Sequence, residues 1–410
     1  MRGHGYFKRL GPGFVTGAAD DDPSGIGTYS QVGAAFGLSL VWSALYVAPL
    51  AAAVQEMAAR LGLVQGEGLA SLIRKRFSRP VLYAAVTLVT VANIFNVGAD
   101  IAAMGASAKL VVPVPAALLA IVMTAVMLGL EIFVSYHRYS RVLRWMALSL
   151  LAYLFVLASI DVDWSAVADH ALVPHLSGSR SELAALLAVF GTTVSPYLFF
   201  WQASEEVEEE HDRPGSELLA PSDDNIQVMR WDVIGGMTSA CVVAFAIMVS
   251  AAAALHTGGI TNIATADQAA QALKPFAGDL AGLVFALGVV GLGLLAVPVL
   301  AGSTAYAIAE ALHWNEGLSK RFREAHGFYG VIVFSMLVGL LLDLAGIDPI
   351  RGLYYAAILN GIAAPPLIVL MVILARSDSM GTRRSGKLSL AFCCVAIVVS
   401  VSLPIAWLVT

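Results

Sequence analysis

Long apolar segments recur along the whole chain and constrain its fold more than any other feature. A helix needs about 20 apolar residues to cross a bilayer. Eleven segments have this character, near 11–37, 40–62, 81–106, 112–134, 143–160, 183–212, 230–255, 278–308, 327–344, 350–375 and 388–409. Only 13% of the residues are charged, about half the share in a typical soluble domain. The pattern predicts an all-α integral membrane protein with eleven transmembrane helices, forming a single transmembrane domain over residues 1–410.

The basic residues predict how this domain lies in the membrane. If the N-terminus is placed inside, the outer segments contain only Lys109, Arg180, Lys274 and Arg351 of the 24 Lys and Arg residues. All the others fall in inner segments, as the positive-inside rule requires. We therefore expect a multi-pass protein of the plasma membrane, with a cytoplasmic N-terminus and an extracytoplasmic C-terminus.

The first span is interrupted by residues that a lipid-facing helix does not tolerate. Asp20, Asp21 and Asp22 are followed at once by Pro23, and Gly25 lies two residues further on. Proline removes a backbone donor, and each aspartate at membrane depth costs about 2.5–3.5 kcal/mol on insertion scales. Such a segment survives only where its backbone and carboxylates line a cavity or bind a ligand.

The sixth span is interrupted in a similar way, at residues 191–197 (GTTVSPY), where Ser195 precedes Pro196. Breaks in spans one and six are what two five-helix repeats of opposite topology would produce, here 1–160 and 183–375, with 388–409 as an additional helix. Broken helices at equivalent positions of two inverted halves indicate a substrate site at the middle of the membrane. Two ordinary proline kinks are the alternative.

The chemistry of the two breaks favours a cation as the substrate. Half-helix ends offer unpaired carbonyl oxygens, and Asp22 offers a full negative charge. Oxygen ligands of this kind suit hard cations such as Mg²⁺, Ca²⁺ or Mn²⁺.

Four groups of residues, in this order, resemble the natural resistance-associated macrophage protein (NRAMP) family of divalent-metal transporters. They are 11–17 (GPGFVTG) with 22–25 (DPSG), 55–62 (QEMAARLG), 98–105 (GADIAAMG) and 191–197 (GTTVSPY). The resemblance extends over most of the chain. It implies the fold of sodium-coupled amino-acid transporters, with helices 1 and 6 broken, and transport of divalent metal ions.

The resemblance also implies four metal-contacting positions, Asp22, Gly25, Thr192 and Ser195. The family carries Asp, Asn, an alanine carbonyl and a methionine sulfur there. Loss of the sulfur removes the soft ligand that favours transition metals, and the smaller side chains widen the site for an ion that keeps water. This pattern resembles the NRAMP-related magnesium transporters, which carry Mg²⁺ and Mn²⁺. A Ser195 that merely fills space remains the alternative.

The proton path that the family implies is altered. Tyr197 replaces a histidine, Ala103 replaces an acid, and residues 330–343 contain no arginine, while Asp100 is retained. Histidine titrates near neutral pH, whereas tyrosine does not. We therefore expect uptake without proton coupling. A proton-coupled Mn²⁺/Fe²⁺ transporter is the alternative.

Further polar residues are candidates for the ion pathway. Asp20, Asp21, Asp100 and Tyr197 belong to the break regions and their neighbours. Asn360 lies near where the family has a polar metal-facing side chain, although an interhelical amide contact explains it equally well. Gln202 would line the inner exit or would pack between helices. The acidic run 205–210 would attract cations or form a solvated loop.

Other functions are less consistent with the sequence. A sodium-coupled organic-solute transporter of the same fold would keep an uncharged site, against the three aspartates. A channel stays open as an alternative. The chain has no zinc-protease or nucleophile-elbow motif, so we expect no enzyme. The expected partners are Mg²⁺ or Mn²⁺ as substrate and membrane lipid. We expect no cofactor, no nucleic acid and a monomeric protein.

Overall fold

The computed structural model describes residues 11–134, 151–160, 162–211, 222–346 and 348–410. Over these ranges all regular secondary structure is helical, and nine helical stretches are long and apolar enough to cross a membrane. The prediction of an all-α membrane protein is therefore confirmed. The count of eleven spans is not reached within these residues, because the first span consists of two short helices. Residues 143–150 of the predicted fifth span lie outside the described residues.

The helices follow the predicted spans to within a few residues, apart from the fifth. They are α1 (Pro12–Asp20), α2 (Pro23–Phe36), α3 (Trp42–Gln65), α4 (Leu69–Arg76), α5 (Arg79–Ala108), α6 (Ala116–Phe133), α7 (Leu151–Ser159), α8 (Trp164–Leu172), α9 (Arg180–Thr193), α10 (Pro196–His211), α11 (Asp223–Ala251), α12 (Ala266–Ala270), α13 (Lys274–Ala277), α14 (Ala281–Leu312), α15 (His326–Leu344), α16 (Pro349–Ala375) and α17 (Lys387–Val409). The short helices α4, α8, α12 and α13 lie in the connections. The division into repeats 1–160 and 183–375 stays a prediction.

The broken helices lie at the centre of the bundle. The stretch Arg180–Glu210 includes α9 and most of α10. In its most apolar 18-residue segment, 89% of the residues are buried inside the protein. In the corresponding segment of α17 only 17% of the residues are buried, and the exposed side chains of this helix are almost all apolar. The centre of the protein is thus formed by the two broken spans, whereas α17 is a peripheral helix suited to contact with lipid.

Close backbone contact fixes α1 against α11. A Cβ atom added at Gly17 would lie 2.4 Å from the carbonyl oxygen of Gly236, which no real side chain tolerates. Small residues of this kind let membrane helices approach closely and gain van der Waals contact. The half-helix that precedes the first break is therefore packed directly on α11.

Both predicted breaks occur where proline begins the second half-helix. Pro23 is the first residue of α2, and Pro196 is the first residue of α10. Proline suits this position because its fixed φ fits a helix start and its missing N–H has no helical partner there. The same residue ends the preceding helix, because it cannot donate to the carbonyl four residues earlier.

Candidate functional site at the two helix breaks

Asp22 lies at the N-terminus of α2 and is held there by hydrogen bonds from Gly25 and Asn96. Its Oδ1 accepts a hydrogen bond of 2.7 Å from the backbone N–H of Gly25, which makes Asp22 the N-cap of α2. Its Oδ2 accepts from Asn96 Nδ2 at 3.1 Å, and the Tyr197 hydroxyl lies 3.4 Å from it. The side chain is 2% exposed. The carboxylate is therefore fixed in orientation at the break, where oxygen lone pairs remain for a ligand.

The carbonyl groups released by the prolines both receive hydroxyl donors from the second break. Pro196 cannot donate to the Thr192 carbonyl, and the Ser195 hydroxyl lies 2.8 Å from that oxygen and 2.7 Å from the Gly191 carbonyl. Pro23 likewise leaves the Ala19 carbonyl without a helical donor. Each break thus keeps a carbonyl oxygen that is oriented by a side-chain hydroxyl rather than by helix geometry.

Gly25 lies close to the oxygens of the first break. A Cβ atom at this position would lie 3.1 Å from the Asp20 carbonyl oxygen and 3.7 Å from Asp22 Oδ1. A side chain there would therefore extend from a point beside these oxygens. A Cβ here would also meet Tyr29 at 3.4 Å, so glycine suits the close packing at the break, and the wider site stays a prediction.

Two asparagines connect the break to neighbouring helices. Asn96 donates to Asp22, and Asn360 Nδ2 lies 3.5 Å from Asn96 Oδ1. The Asn360 Oδ1 atom is buried without a hydrogen-bond partner among the described residues. Asn360 is thus connected to the Asp22 carboxylate through Asn96.

Sequence reasoning missed Asn96, although a signal was present. Asn93, Asn96 and Asp100 follow one another at intervals of three and four residues in the apolar helix α5. This spacing places all three on one face of the helix. All three are fully buried.

Three further aspartates are buried near the first break. Asp20, Asp21 and Asp100 are at most 4% exposed. Neither oxygen of Asp20 or Asp100 has a hydrogen-bond partner among the described residues. Buried carboxylates of this kind are costly unless a cation or proton compensates them. The region therefore concentrates acidic groups well beyond Asp22 alone.

Gln202, in the second turn of α10, connects the helices next to the two breaks. Its Oε1 accepts from Thr16 of α1 at 2.5 Å and from Gln55 of α3 at 3.2 Å, and its Nε2 donates to Glu206 at 2.8 Å. Asp22, Thr192, Ser195, Tyr197 and Gln202 are each no more than 2% exposed. In this conformation Gln202 bridges three helices, and these side chains at the two breaks are shielded from solvent.

The acidic run 205–210 is not a solvated loop. It belongs to α10, and Glu205 is 4% exposed. Glu208 accepts hydrogen bonds from the backbone N–H groups of Leu318 at 3.0 Å and Ser319 at 3.1 Å, and from the Tyr306 hydroxyl at 2.5 Å. At least Glu208 has a structural function, holding the connection between α14 and α15.

Within the described residues, no three His, Cys, Asp or Glu side chains converge as a metal cluster. The oxygens at the breaks are the carboxylates of Asp20, Asp21 and Asp22, together with backbone carbonyl, hydroxyl and amide oxygens. Such a set suits a substrate ion that arrives and leaves with some of its water, rather than a permanently bound metal.

Comparison with known proteins identifies the family. Residues 13–410 match the family described as natural resistance-associated macrophage protein-like. The chain belongs to this family. The resemblance noted from its motifs is confirmed.

Relatives named as metal transporters match over most of the NRAMP-like chain. The divalent metal cation transporter MntH of Pectobacterium carotovorum is 29% identical over 392 residues, covering 92% of this chain and 88% of the relative. The protein of the same name from Yersinia pestis is 31% identical over 297 residues, covering 70% and 68%. These relatives are named as transporters, which agrees with the prediction that the protein is not an enzyme.

Solved structures support the predicted fold. The manganese transporter of Eremococcus coleocola, in complex with an aromatic bis-isothiourea substituted compound, matches with a TM-score of 0.76 and 18% identity, covering 98% of this chain and 87% of that one. A nucleobase-cation-symport-1 family transporter in a closed conformation matches with a TM-score of 0.60 and 14% identity, covering 98% and 92%. The amino-acid-transporter-like fold is thereby confirmed, and these similarities carry no statement about substrate.

Proposed function

We propose that this NRAMP-like protein moves divalent metal cations, Mg²⁺ and Mn²⁺ above all, into the cell by alternating access. The observation that carries the proposal is the position of Asp22. It is a buried carboxylate at a helix break, with fixed orientation and with carbonyl and hydroxyl oxygens at the second break. The relatives named as divalent metal cation transporters support the substrate class.

The preference for Mg²⁺ follows from the atoms at the four proposed ligand positions. Asp22 contributes a carboxylate, Thr192 a carbonyl, Ser195 a hydroxyl, and Gly25 no side chain. None of these atoms is sulfur, and hard oxygen ligands suit Mg²⁺ and Mn²⁺. A site widened at Gly25 and Ser195 also leaves space for water that Mg²⁺ releases reluctantly.

Alternating access requires the closed breaks to open to one face at a time. On the side of the breaks where Gln202 lies, two sets of contacts close the protein. Thr16 and Gln55 donate hydrogen bonds to Gln202, and α1 packs on α11. With the N-terminus cytoplasmic, as the basic residues predict, this is the inner side. Movement of α1 away from Gln202 would release the ion inward, along a path past Gln202. We propose that the protein does this as a monomer in the plasma membrane.

The membrane potential is sufficient to drive such uptake without protons. Two charges that cross 100 mV gain about 2 × 2.3 kcal/mol. Tyr197 replaces the family's histidine and is itself engaged by Ala19 and Asp22. A proton-coupled Mn²⁺/Fe²⁺ transporter is the second candidate, because Asp100 is a buried carboxylate without a hydrogen-bond partner among the described residues.

Uptake into proteoliposomes tests the proposed substrate class. Purified protein is reconstituted, an inside-negative potassium-diffusion potential is imposed, and entry of Mg²⁺, Mn²⁺ and Ca²⁺ is followed with ion-sensitive dyes. Saturable entry of Mg²⁺ and Mn²⁺ is expected. Uptake that saturates with external metal, and that becomes faster when metal is also present inside the liposomes, indicates a carrier and not a channel. The absence of uptake of all three ions by correctly folded protein would contradict the proposal.

A further inference from the structure

The outer surface of the bundle carries a groove that is separate from the helix breaks. It lies between α3, α11 and α17 and has a volume of about 520 Å³. Its walls are mostly apolar, and Ala52, Ile234 and Phe392 each contribute to a different wall. From Arg230 to Thr238 the groove follows α11 for about 12 Å. We propose that this groove binds one anionic phospholipid, with the headgroup at Arg230 and Lys387 and an acyl chain along the apolar walls.

The charge at one end of the groove fits a phosphate. Glu56 forms ion pairs with two arginines, since it contacts Arg60 and also Arg230 Nε at 3.4 Å. One carboxylate compensates only one of these two positive charges. The terminal nitrogens of Arg230 make no hydrogen bond to any described residue, and its side chain is 42% exposed. A net positive charge with unused donors therefore lies at the mouth of the groove.

Lys387 adds a second positive charge beside Gly386 and Leu388, which line the groove. It is exposed and makes no ion pair within the part of the chain that the structure describes. The nearby Arg384 differs, because Asp378 compensates it at 2.6 Å. Two cations thus lie beside the groove: Arg230, which is two turns into α11 and shares Glu56 with Arg60, and Lys387, the first residue of α17.

The position of the groove relative to the membrane also fits a lipid. Trp231 adjoins Arg230 and is 61% exposed. Exposed tryptophan is enriched at the membrane–water interface, so this level of α11 corresponds to the headgroup region. Basic pockets between membrane helices on the cytoplasmic side bind anionic lipid headgroups. Charge complementarity at the mouth and apolar walls behind it select an anionic phospholipid over a soluble anion or a zwitterionic lipid.

Thermal unfolding of delipidated protein in detergent tests this proposal. The midpoint is measured while phosphatidylglycerol, phosphatidylcholine or inorganic phosphate is added at increasing concentration. Phosphatidylglycerol should raise the midpoint of the parent in a saturable way, and phosphatidylcholine and inorganic phosphate should not. Arg230→Gln and Lys387→Gln should each weaken the apparent affinity about fivefold, the effect of one basic residue near an anionic surface. Arg376→Gln, a basic residue outside the groove, should leave it unchanged.

A variant that fills the groove separates the acyl chain from the headgroup. Ala52→Phe places a ring inside the groove and should remove the bound phosphatidylglycerol seen by native mass spectrometry. Lys387→Gln changes only an exposed side chain, so it reports on binding even if Ala52→Phe does not fold. Equal stabilisation by phosphatidylglycerol and phosphatidylcholine would overturn the proposal. So would equal stabilisation by inorganic phosphate, or parental affinity in both Arg230→Gln and Lys387→Gln.

Discussion

The hydroxyl of Tyr197 donates a hydrogen bond of 2.8 Å to the carbonyl oxygen of Ala19. Pro23 leaves this carbonyl without a donor from its own helix, so a residue 178 positions later satisfies it. The same hydroxyl lies 3.4 Å from the Asp22 carboxylate. Tyr197 therefore joins the two helix breaks directly, and the residue that replaces the family's histidine has a structural function at the site.

Removal of the Tyr197 hydroxyl should destabilise the protein. In Tyr197→Phe the buried carbonyl of Ala19 loses its donor, which costs about 1–3 kcal/mol. We expect a lower unfolding midpoint in detergent and slower metal uptake. Tyr355→Phe removes a hydroxyl from an exposed tyrosine of α16 and should leave both quantities unchanged. Equal midpoints for the two variants would show that the bond to Ala19 does not support the break.

The breaks themselves could be predicted from the sequence because their causes are local. Pro23 and Pro196 end one helix and begin the next in any context, and three aspartates in an apolar span are conspicuous. The side chains of other helices that contact the breaks could not be predicted in this way. Asn96 lies in α5, 74 residues from Asp22, and its amide could equally have joined two helices elsewhere. Only the packing of α5 against the break shows which group it meets.

The proposed metal preference depends on two positions. Gly25→Asn together with Ser195→Met restores the family's side chains and should shift preference from Mg²⁺ toward Mn²⁺, because sulfur is a softer ligand and the space for water shrinks. The asparagine requires a small shift at the Asp20 carbonyl, which lies 3.1 Å from the new Cβ. Uptake of both ions from equal concentrations measures the ratio. An unchanged ratio in a folded double variant would mean that these positions do not set selectivity.

A carboxylate of α11 holds the N-terminus of α1. Asp232 accepts backbone hydrogen bonds from Gly11 at 3.2 Å, Gly13 at 2.8 Å and Phe14 at 3.3 Å. Helix caps are worth about 1–2 kcal/mol, so Asp232→Ala should accelerate hydrogen exchange in residues 11–20 about tenfold.

The matched control for this cap is Asp224→Ala, an exposed aspartate of the same helix. It should leave exchange in residues 11–20 at the parental rate. If α1 exchanges equally slowly in both variants, Asp232 does not restrain it, and the movement of α1 proposed for inward opening is limited by other contacts.

Metal entry should proceed without proton entry. Proteoliposomes that contain a pH dye receive a potassium-diffusion potential and then Mn²⁺ or Mg²⁺. The metal should enter without acidification of the lumen, because Tyr197 and Ala103 replace the titratable groups of the family. Acidification that follows metal entry, and that disappears in protein-free liposomes, would show a proton route; its loss in Asp100→Asn would assign that route to Asp100.

The most direct test of the metal site is uptake by Asp22→Asn. This change keeps the shape of the side chain and removes its charge, whereas Asp279→Asn makes the same change at an exposed position. Loss of a charged interaction costs about 1.5–3 kcal/mol, which corresponds to at least a tenfold loss of affinity. We expect Mg²⁺ and Mn²⁺ uptake to fall at least tenfold in Asp22→Asn and to stay at the parental rate in Asp279→Asn, with both proteins monodisperse in detergent. Parental uptake in Asp22→Asn would contradict the assignment of the metal site to the broken helices.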